Sequence, residues 1–179
     1  MSKNDPVIWI ISGHSEGGKT RFCRQVVEKA KEAGLLVGGV LSPAVFVKGV
    51  KTGIQVEDLH SGERQTLANA QDPAADSITP RWKFDPSALA WGAEILKAST
   101  PCDLLVVDEL GPLELEHNMG WIEGIRAIDA RQYQIALVVV RTSLLPIAQK
   151  RWPNSQTLTF AYTDTSDRIA REIDRILGG

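Results

Sequence analysis

The chain has 179 residues, 43% apolar and 23% charged, with a net charge of −2. That is long enough for one domain with a sizeable core and has the composition of an ordinary globule, while the charge leaves no electrostatic footprint for nucleic acid or an anionic membrane. No stretch reaches the apolar length of a membrane span and residues 1–6 carry no secretory signal, so a cytoplasmic protein is expected.

The first informative stretch comes early. Val7, Ile8, Trp9, Ile10 and Ile11 form an apolar run of strand type, and a helical pattern opens near Lys19. Between them stands Gly13-His14-Ser15-Glu16-Gly17-Gly18-Lys19-Thr20. This is the G-x-x-x-x-G-K-[ST] pattern in the strand–loop–helix setting that a phosphate-binding loop requires. Glycines allow positive φ, so successive N–H groups can turn into one concavity and hold phosphate oxygens. The following helix adds its free N-terminal N–H groups and the positive end of its dipole. On this reading Gly13, His14, Ser15, Glu16, Gly17, Gly18, Lys19, Thr20 and Arg21 surround the phosphates. Lys19 reaches the β- and γ-phosphates, and the Thr20 hydroxyl ligates Mg2+.

Phe22, Val26, Ala30 and Ala33 make one apolar helical stripe, which Gly34 ends. The apolar run 35–41 then completes a strand–helix–strand unit. Residues 42–68 change character: Ser42-Pro43 breaks the pattern, 45–47 are apolar, Lys48-Gly49 turns, and 53–59 alternate with period two. His60-Ser61-Gly62-Glu63 is another turn, and 64–68 a further strand candidate. We expect a small antiparallel meander inserted into a single domain spanning 1–179. Residues 69–83 are rich in Asp, Pro, Ala and Ser, which predicts a surface loop. Pro86 suits the first turn of a helix after Asp85, with Leu89, Ala93 and Leu96 on one face. Trp82, Phe84 and Trp91 read as packing residues, with base stacking the alternative.

The second informative stretch is Asp103-Leu104-Leu105-Val106-Val107-Asp108-Glu109, a buried parallel strand ending in two acids. Ligands of open α/β sheets bind at that carboxyl edge, and two carboxylates there need a cation or a polar task. Asp108 fits the Walker B acid that holds Mg2+, and Glu109 a carboxylate that orients or deprotonates the attacking water. Gly111-Pro112-Leu113-Glu114-Leu115 makes a turn, followed by a helix through Trp121, Ile125 and Ile128. The strand 134–140 delivers Arg141-Thr142-Ser143 to the same edge. Arg141 or Thr142 either senses the γ-phosphate or serves as surface charge and helix cap. A short helix at 144–151, stopped by Trp152-Pro153, a strand at 156–162 and a helix carrying Ile169, Ile173, Ile176 and Leu177 complete the chain. Cys23 and Cys102 read as small buried residues, and His14, His60 and His117 have no metal-ligand spacing.

Taken together, these residues resemble the small cancer-related nucleoside-triphosphatase family of P-loop proteins. The resemblance rests on Gly13 to Thr20, on Gly38-Gly39-Val40-Leu41-Ser42-Pro43, on Gly62-Glu63-Arg64-Gln65-Thr66-Leu67-Ala68, and above all on Asp103 to Leu110 continuing into Gly111-Pro112-Leu113-Glu114-Leu115. It implies a three-layer α/β fold of the RecA-like P-loop type, mostly parallel, with helices on both faces and strand order 5-1-4-3-2. It also implies slow Mg2+-dependent hydrolysis of several nucleoside triphosphates. Gly13 to Thr20, Asp108 and Glu109 carry over; Arg21-Phe22 and the segment before Phe84-Asp85 depart from the family pattern. No arginine finger is assigned among Arg21, Arg64, Arg81 and Arg141. Two other readings stand beside hydrolysis: a small-molecule or nucleotide kinase with its acceptor in the 42–83 region, and a nucleotide-dependent switch for a protein partner the sequence does not identify.

Overall fold

The computed structural model describes residues 5–14, 17–71, 81–161 and 164–178. The chain runs through β1 (Val7–Gly13), α1 (Lys19–Glu32), β2 (Val37–Leu41), β3 (Ala44–Val47), β4 (Val50–Asp58), β5 (Arg64–Ala70) and β6 (Trp82–Phe84). It continues through α2 (Pro86–Ala98), β7 (Leu104–Leu110), α3 (Pro112–Leu115), α4 (Ile122–Ala130), β8 (Ile135–Val140), α5 (Leu145–Arg151), β9 (Gln156–Phe160) and α6 (Ser166–Leu177).

The central strands are apolar at nearly every position, so side chains alternating above and below the sheet make both faces apolar. Ile8 and Ile10 pack with Leu96 of α2, Ile125 of α4 and Ala148 of α5. Trp9 and Ile11 pack on the opposite face with Val26 of α1 and Ile173 of α6. Three layers result. Asp85 caps α2 as expected, its carboxylate accepting from the Ala88 N–H at 2.9 Å with Pro86 in the first turn.

The sheet order is β6-β5-β4-β2-β7-β8-β1-β9, with β3 on β4. The parallel strands, counted along the chain, are β1, β2, β7, β8 and β9, so they lie in the order 5-1-4-3-2 that the resemblance implied. β1 and β7 both run parallel to β8, which lies between them, so the loop after β1 and the acids of β7 come to the same edge. Gly39 is required here: its φ is 105°, and a Cβ would sit 1.9 Å from the Val106 carbonyl oxygen of β7.

The antiparallel part is larger than expected. The meander does not stand apart, because β4 pairs with β2 and so extends the central sheet. The surface loop expected at 69–83 is also too long at both ends. β5 runs on to Ala70, and Trp82–Phe84 forms β6, paired with Ala68, Asn69 and Ala70. Three residues at a sheet edge carry too little pattern to be read as a strand, and Trp82 is held there by burial. Residues 72–80 lie outside the described residues.

Candidate functional site

Glycine geometry shapes the loop between β1 and α1. Gly13 has φ 138°, and a Cβ on it would lie 2.4 Å from the Phe160 carbonyl oxygen of β9. Gly18, with φ 89°, precedes the first residue of α1. Lys19 folds back across the loop, its Nζ donating to the carbonyls of Gly13 at 3.0 Å and His14 at 2.7 Å. Burial pulls the Lys19 ammonium below its usual pKa; Glu109 and Asp108 oppose that, and Arg141 and Lys51 add to it. Gly17, Gly18, Lys19, Thr20 and Arg21 line one cleft of about 620 Å3. His14 is exposed, and Ser15 and Glu16 lie outside the described residues.

The two acids reach the same cleft through an irregularity in β7. Against β8, Val107 pairs with Val138 but Leu110 with Val140, so β7 carries one extra residue at Asp108 and Glu109. Glu109 sits at φ 71°, an uncommon conformation for a side chain of its size. Consecutive strand residues normally face opposite sides. The bulge breaks that alternation and lets Asp108 and Glu109 both line the cleft.

Asp108 is 1% exposed. Its Oδ2 accepts the Ser42 N–H at 2.9 Å, and the Ser42 hydroxyl donates to the Asp108 carbonyl at 3.1 Å. Burial pushes its carboxyl up to about 6, and the neighbouring Glu109 adds to this. The Ser42 N–H, the Thr20 hydroxyl and Lys19 pull the other way. Oδ1 is buried without a hydrogen-bond partner among the described residues, a costly state for a carboxylate oxygen. A buried orphan oxygen beside a threonine hydroxyl is the hard-oxygen donor set that Mg2+ takes, so these residues fit that ion.

Glu109 is held from the other side. Its Oε1 accepts from Arg141 Nη2 at 3.1 Å and Nε at 3.4 Å. Of the residues weighed as γ-phosphate sensors, Arg141 lines the cleft, whereas Thr142 opens a single 3-10 turn beyond it. Among the other arginines, Arg21 and Arg81 line the cleft and Arg64 does not. Arg64 bonds instead to Glu57 at 2.7 Å, together with the two-pronged Arg24 contact at 3.0 and 2.7 Å. Burial alone would raise the Glu57 carboxyl, but Arg24 and Arg64 outweigh it and hold it below the usual range. This cluster clamps the antiparallel strands to α1. It was not visible in the sequence, where Glu57 stands at an ordinary position of an alternating strand.

The Gly111-to-Leu115 run has a structural reason as well. Glu114 is buried and accepts from the Gly111 N–H at 2.8 Å and the Trp121 N–H at 3.0 Å, which ties α3 to the start of α4. Trp121 in turn donates from its indole to the Leu89 carbonyl at 3.1 Å. Trp121, Leu89, Trp82 and Phe84 line the far end of the cleft. Trp82 and Phe84 are therefore packing residues that also face a binding space. Both cysteines are buried, and Cys102 is pushed up to about 11 by burial.

Comparison with known proteins supplies the family. Residues 8–173 match the profile of the NTPase family. Nucleoside-triphosphatase THEP1 of Methanopyrus kandleri is 29% identical over 171 residues, covering 92% of this chain and 93% of that protein. The protein of the same name from Ignicoccus hospitalis is 36% identical over 106 residues, 59% and 60% of the two chains. The solution structure of a human cancer-related nucleoside triphosphatase superposes with a TM-score of 0.70 at 19% identity, covering 97% of this chain and 96% of that one.

Proposed function

The chain belongs to the NTPase family, and from that premise we propose that it is a cytoplasmic, Mg2+-dependent hydrolase of nucleoside triphosphates. The observation that supports this best is the meeting of Lys19, Thr20, Asp108 and Glu109 on one cleft, drawn from two strand ends that β8 holds apart.

Loop N–H groups and Lys19 neutralise the phosphates, Lys19 exchanging its two loop carbonyls for phosphate oxygens. Thr20 and Asp108 are the residues that hold Mg2+. When bound, the ion neutralises charge on the phosphate oxygens and orients them. Glu109 orients a water in line with the leaving diphosphate and takes its proton, and Arg141 positions the Glu109 carboxylate. Positioning and electrostatics supply most of the rate, with little covalent chemistry by the protein.

The test is phosphate release from a panel of nucleoside triphosphates with Mg2+, by the wild type, Lys19→Ala and Glu109→Gln. Both variants should lose turnover. Full activity in Glu109→Gln beside loss in Lys19→Ala removes Glu109 from its role, and no release by the wild type from any nucleotide overturns the reading.

A further inference from the structure

The cleft extends beyond the phosphate loop and the two acids into an apolar region. Its lining follows the sheet order away from the phosphate loop: Lys19 and Thr20 after β1, Arg141 after β8, Asp108 and Glu109 on β7, Ser42 after β2, then Ile54 on β4, Leu67 on β5 and Trp82 on β6. In an in-line displacement the nucleophile approaches the γ-phosphate from the side opposite the leaving diphosphate. Glu109, which handles the nucleophile in the reading above, stands between the phosphate loop and the residues of β4, β5 and β6 in that order. The chamber beyond Glu109 is therefore on the nucleophile's side.

A hydrolase needs room there for one water, about 30 Å3, with polar partners to hold it. Here the walls are Ile54, Leu67, Trp82, Phe84, Leu89 and Trp121, in a cleft of about 620 Å3 that they share with the phosphate loop. That is the lining of a small-molecule site, mostly apolar with a few placed polar groups. Charge is placed as well. Lys51 Nζ lies 5.1 Å and the Arg81 guanidinium 5.2 Å from the centre of the Trp82 ring. Neither forms an ion pair among the described residues. Phe46, 53% exposed, stands on the lining and would be covered by a ligand seated beside it.

We propose that this chamber is a phosphoryl-acceptor site for a small planar aromatic alcohol carrying an anionic substituent, and that the γ-phosphoryl group passes to its hydroxyl. The inference rests on the nucleotide reading above. The ring packs between Phe84, Leu89 and Trp121, the anionic group meets Lys51 and Arg81 over Trp82, and the hydroxyl points back toward Glu109. The bond from the γ-phosphorus to the bridging oxygen breaks and leaves the nucleoside diphosphate. The alcohol oxygen bonds to that phosphorus, and its proton passes to Glu109. The products are a phosphomonoester and the diphosphate. Water takes the alcohol's place when the chamber holds no acceptor, and the outcome is then hydrolysis.

The experiment incubates the full chain with ATP, Mg2+ and millimolar 4-(hydroxymethyl)benzoate or benzyl alcohol. It reads phosphomonoester and inorganic phosphate together by phosphorus NMR. The expected result is ester from the benzoate, at least tenfold less from benzyl alcohol, and loss of that preference in Lys51→Met/Arg81→Met. Leu67→Trp, which fills the chamber, should lower the ratio of ester to phosphate at least tenfold, with circular dichroism confirming its fold. Phosphate without ester from either alcohol overturns the acceptor site and leaves the hydrolase reading standing. Absence of both products overturns the nucleotide reading itself. An ester-to-phosphate ratio unmoved by both variants places the acceptor elsewhere and overturns the assignment.

Discussion

The parallel half of the sheet, from β2 to β9, and the antiparallel half, from β3 to β6, meet the same cleft with different materials. At the parallel edge the contacts are short-range in sequence and built around the backbone: loop glycines, the first residues of α1, and two acids on one strand end. At the antiparallel edge they are side chains drawn from β4, β5, β6 and α2, and they make a chamber only because four segments pack together. A phosphate group offers the same oxygens in every nucleotide, so one local motif can bind it. An organic ligand presents a particular shape, and matching it takes side chains from several segments. The chemistry at one edge is therefore generic, and the selectivity is expected at the other.

Four substitutions separate the two halves. Glu109→Gln keeps the shape of the parallel edge and removes the carboxylate proposed as the proton acceptor. Turnover should fall about 10²–10⁴-fold with nucleotide affinity nearly kept, checked by phosphate release beside equilibrium binding. Lys19→Ala removes the cation that spans the loop. It should lower turnover about 10²–10³-fold and weaken nucleotide binding as well.

Asp108→Asn tests whether burial of this acid is costly when no cation is bound beside it. The folded-state carboxyl is raised from 3.8 to about 6, so the folded chain keeps a proton that the unfolded chain releases. Stability contributed by the protonated acid is present below about pH 4 and lost as pH rises through about 6. In chelator, the stability of Asp108→Asn relative to wild type should therefore grow between pH 4 and pH 7 by about 2 kcal/mol, at roughly 1.4 kcal/mol per unit of pKa shift. Urea unfolding at both pH values measures it, and a flat difference removes the cause. The Glu57 carboxyl has the opposite sign, its stabilisation fading as pH falls, and cancels because both proteins carry it.

Glu57→Gln acts on the clamp between the halves. Breaking a buried ion pair typically costs 3–5 kcal/mol, but the partner side chains here remain 29% and 47% exposed, so about 2 kcal/mol is expected. Hydrogen exchange should loosen in β4 and β5 and stay protected in β1, β7 and β8; uniform loosening would show that the halves are not separable.

How much of this was legible in the sequence follows the same division. The strand and helix around the phosphate loop were expected at 7–11 and from near Lys19, and they are observed at Val7–Gly13 and from Lys19. An apolar run, a glycine-rich turn and a helical stripe are local signals that tertiary packing has no reason to override. Asp85 before Pro86 was equally plain, since capping chemistry needs only its own neighbours. β6 was missed because three residues paired at an edge have no period of their own. Ser42 was read only as a break in the pattern, yet it fixes Asp108 from a strand 66 positions away in sequence. Glu57 stood at an ordinary position of an alternating strand, and only the fold brings Arg24 of α1 and Arg64 of β5 over it.

From the amino-acid order alone follow the phosphate loop, the pair of acids at a strand end, the alternating strands and helices of an α/β domain, and the resemblance to a family of nucleoside triphosphatases that implied its three layers. Each is written in residues close along the chain, where glycine conformations, capping and hydrophobic period act directly. Only the tertiary structure decided that Asp108 and Glu109 share one side through a bulge, that Arg141 takes hold of Glu109, and that the cleft continues into an aromatic chamber. Those features depend on register, on a positive φ and on packing between strands that are distant in sequence, and none of these has a local signature.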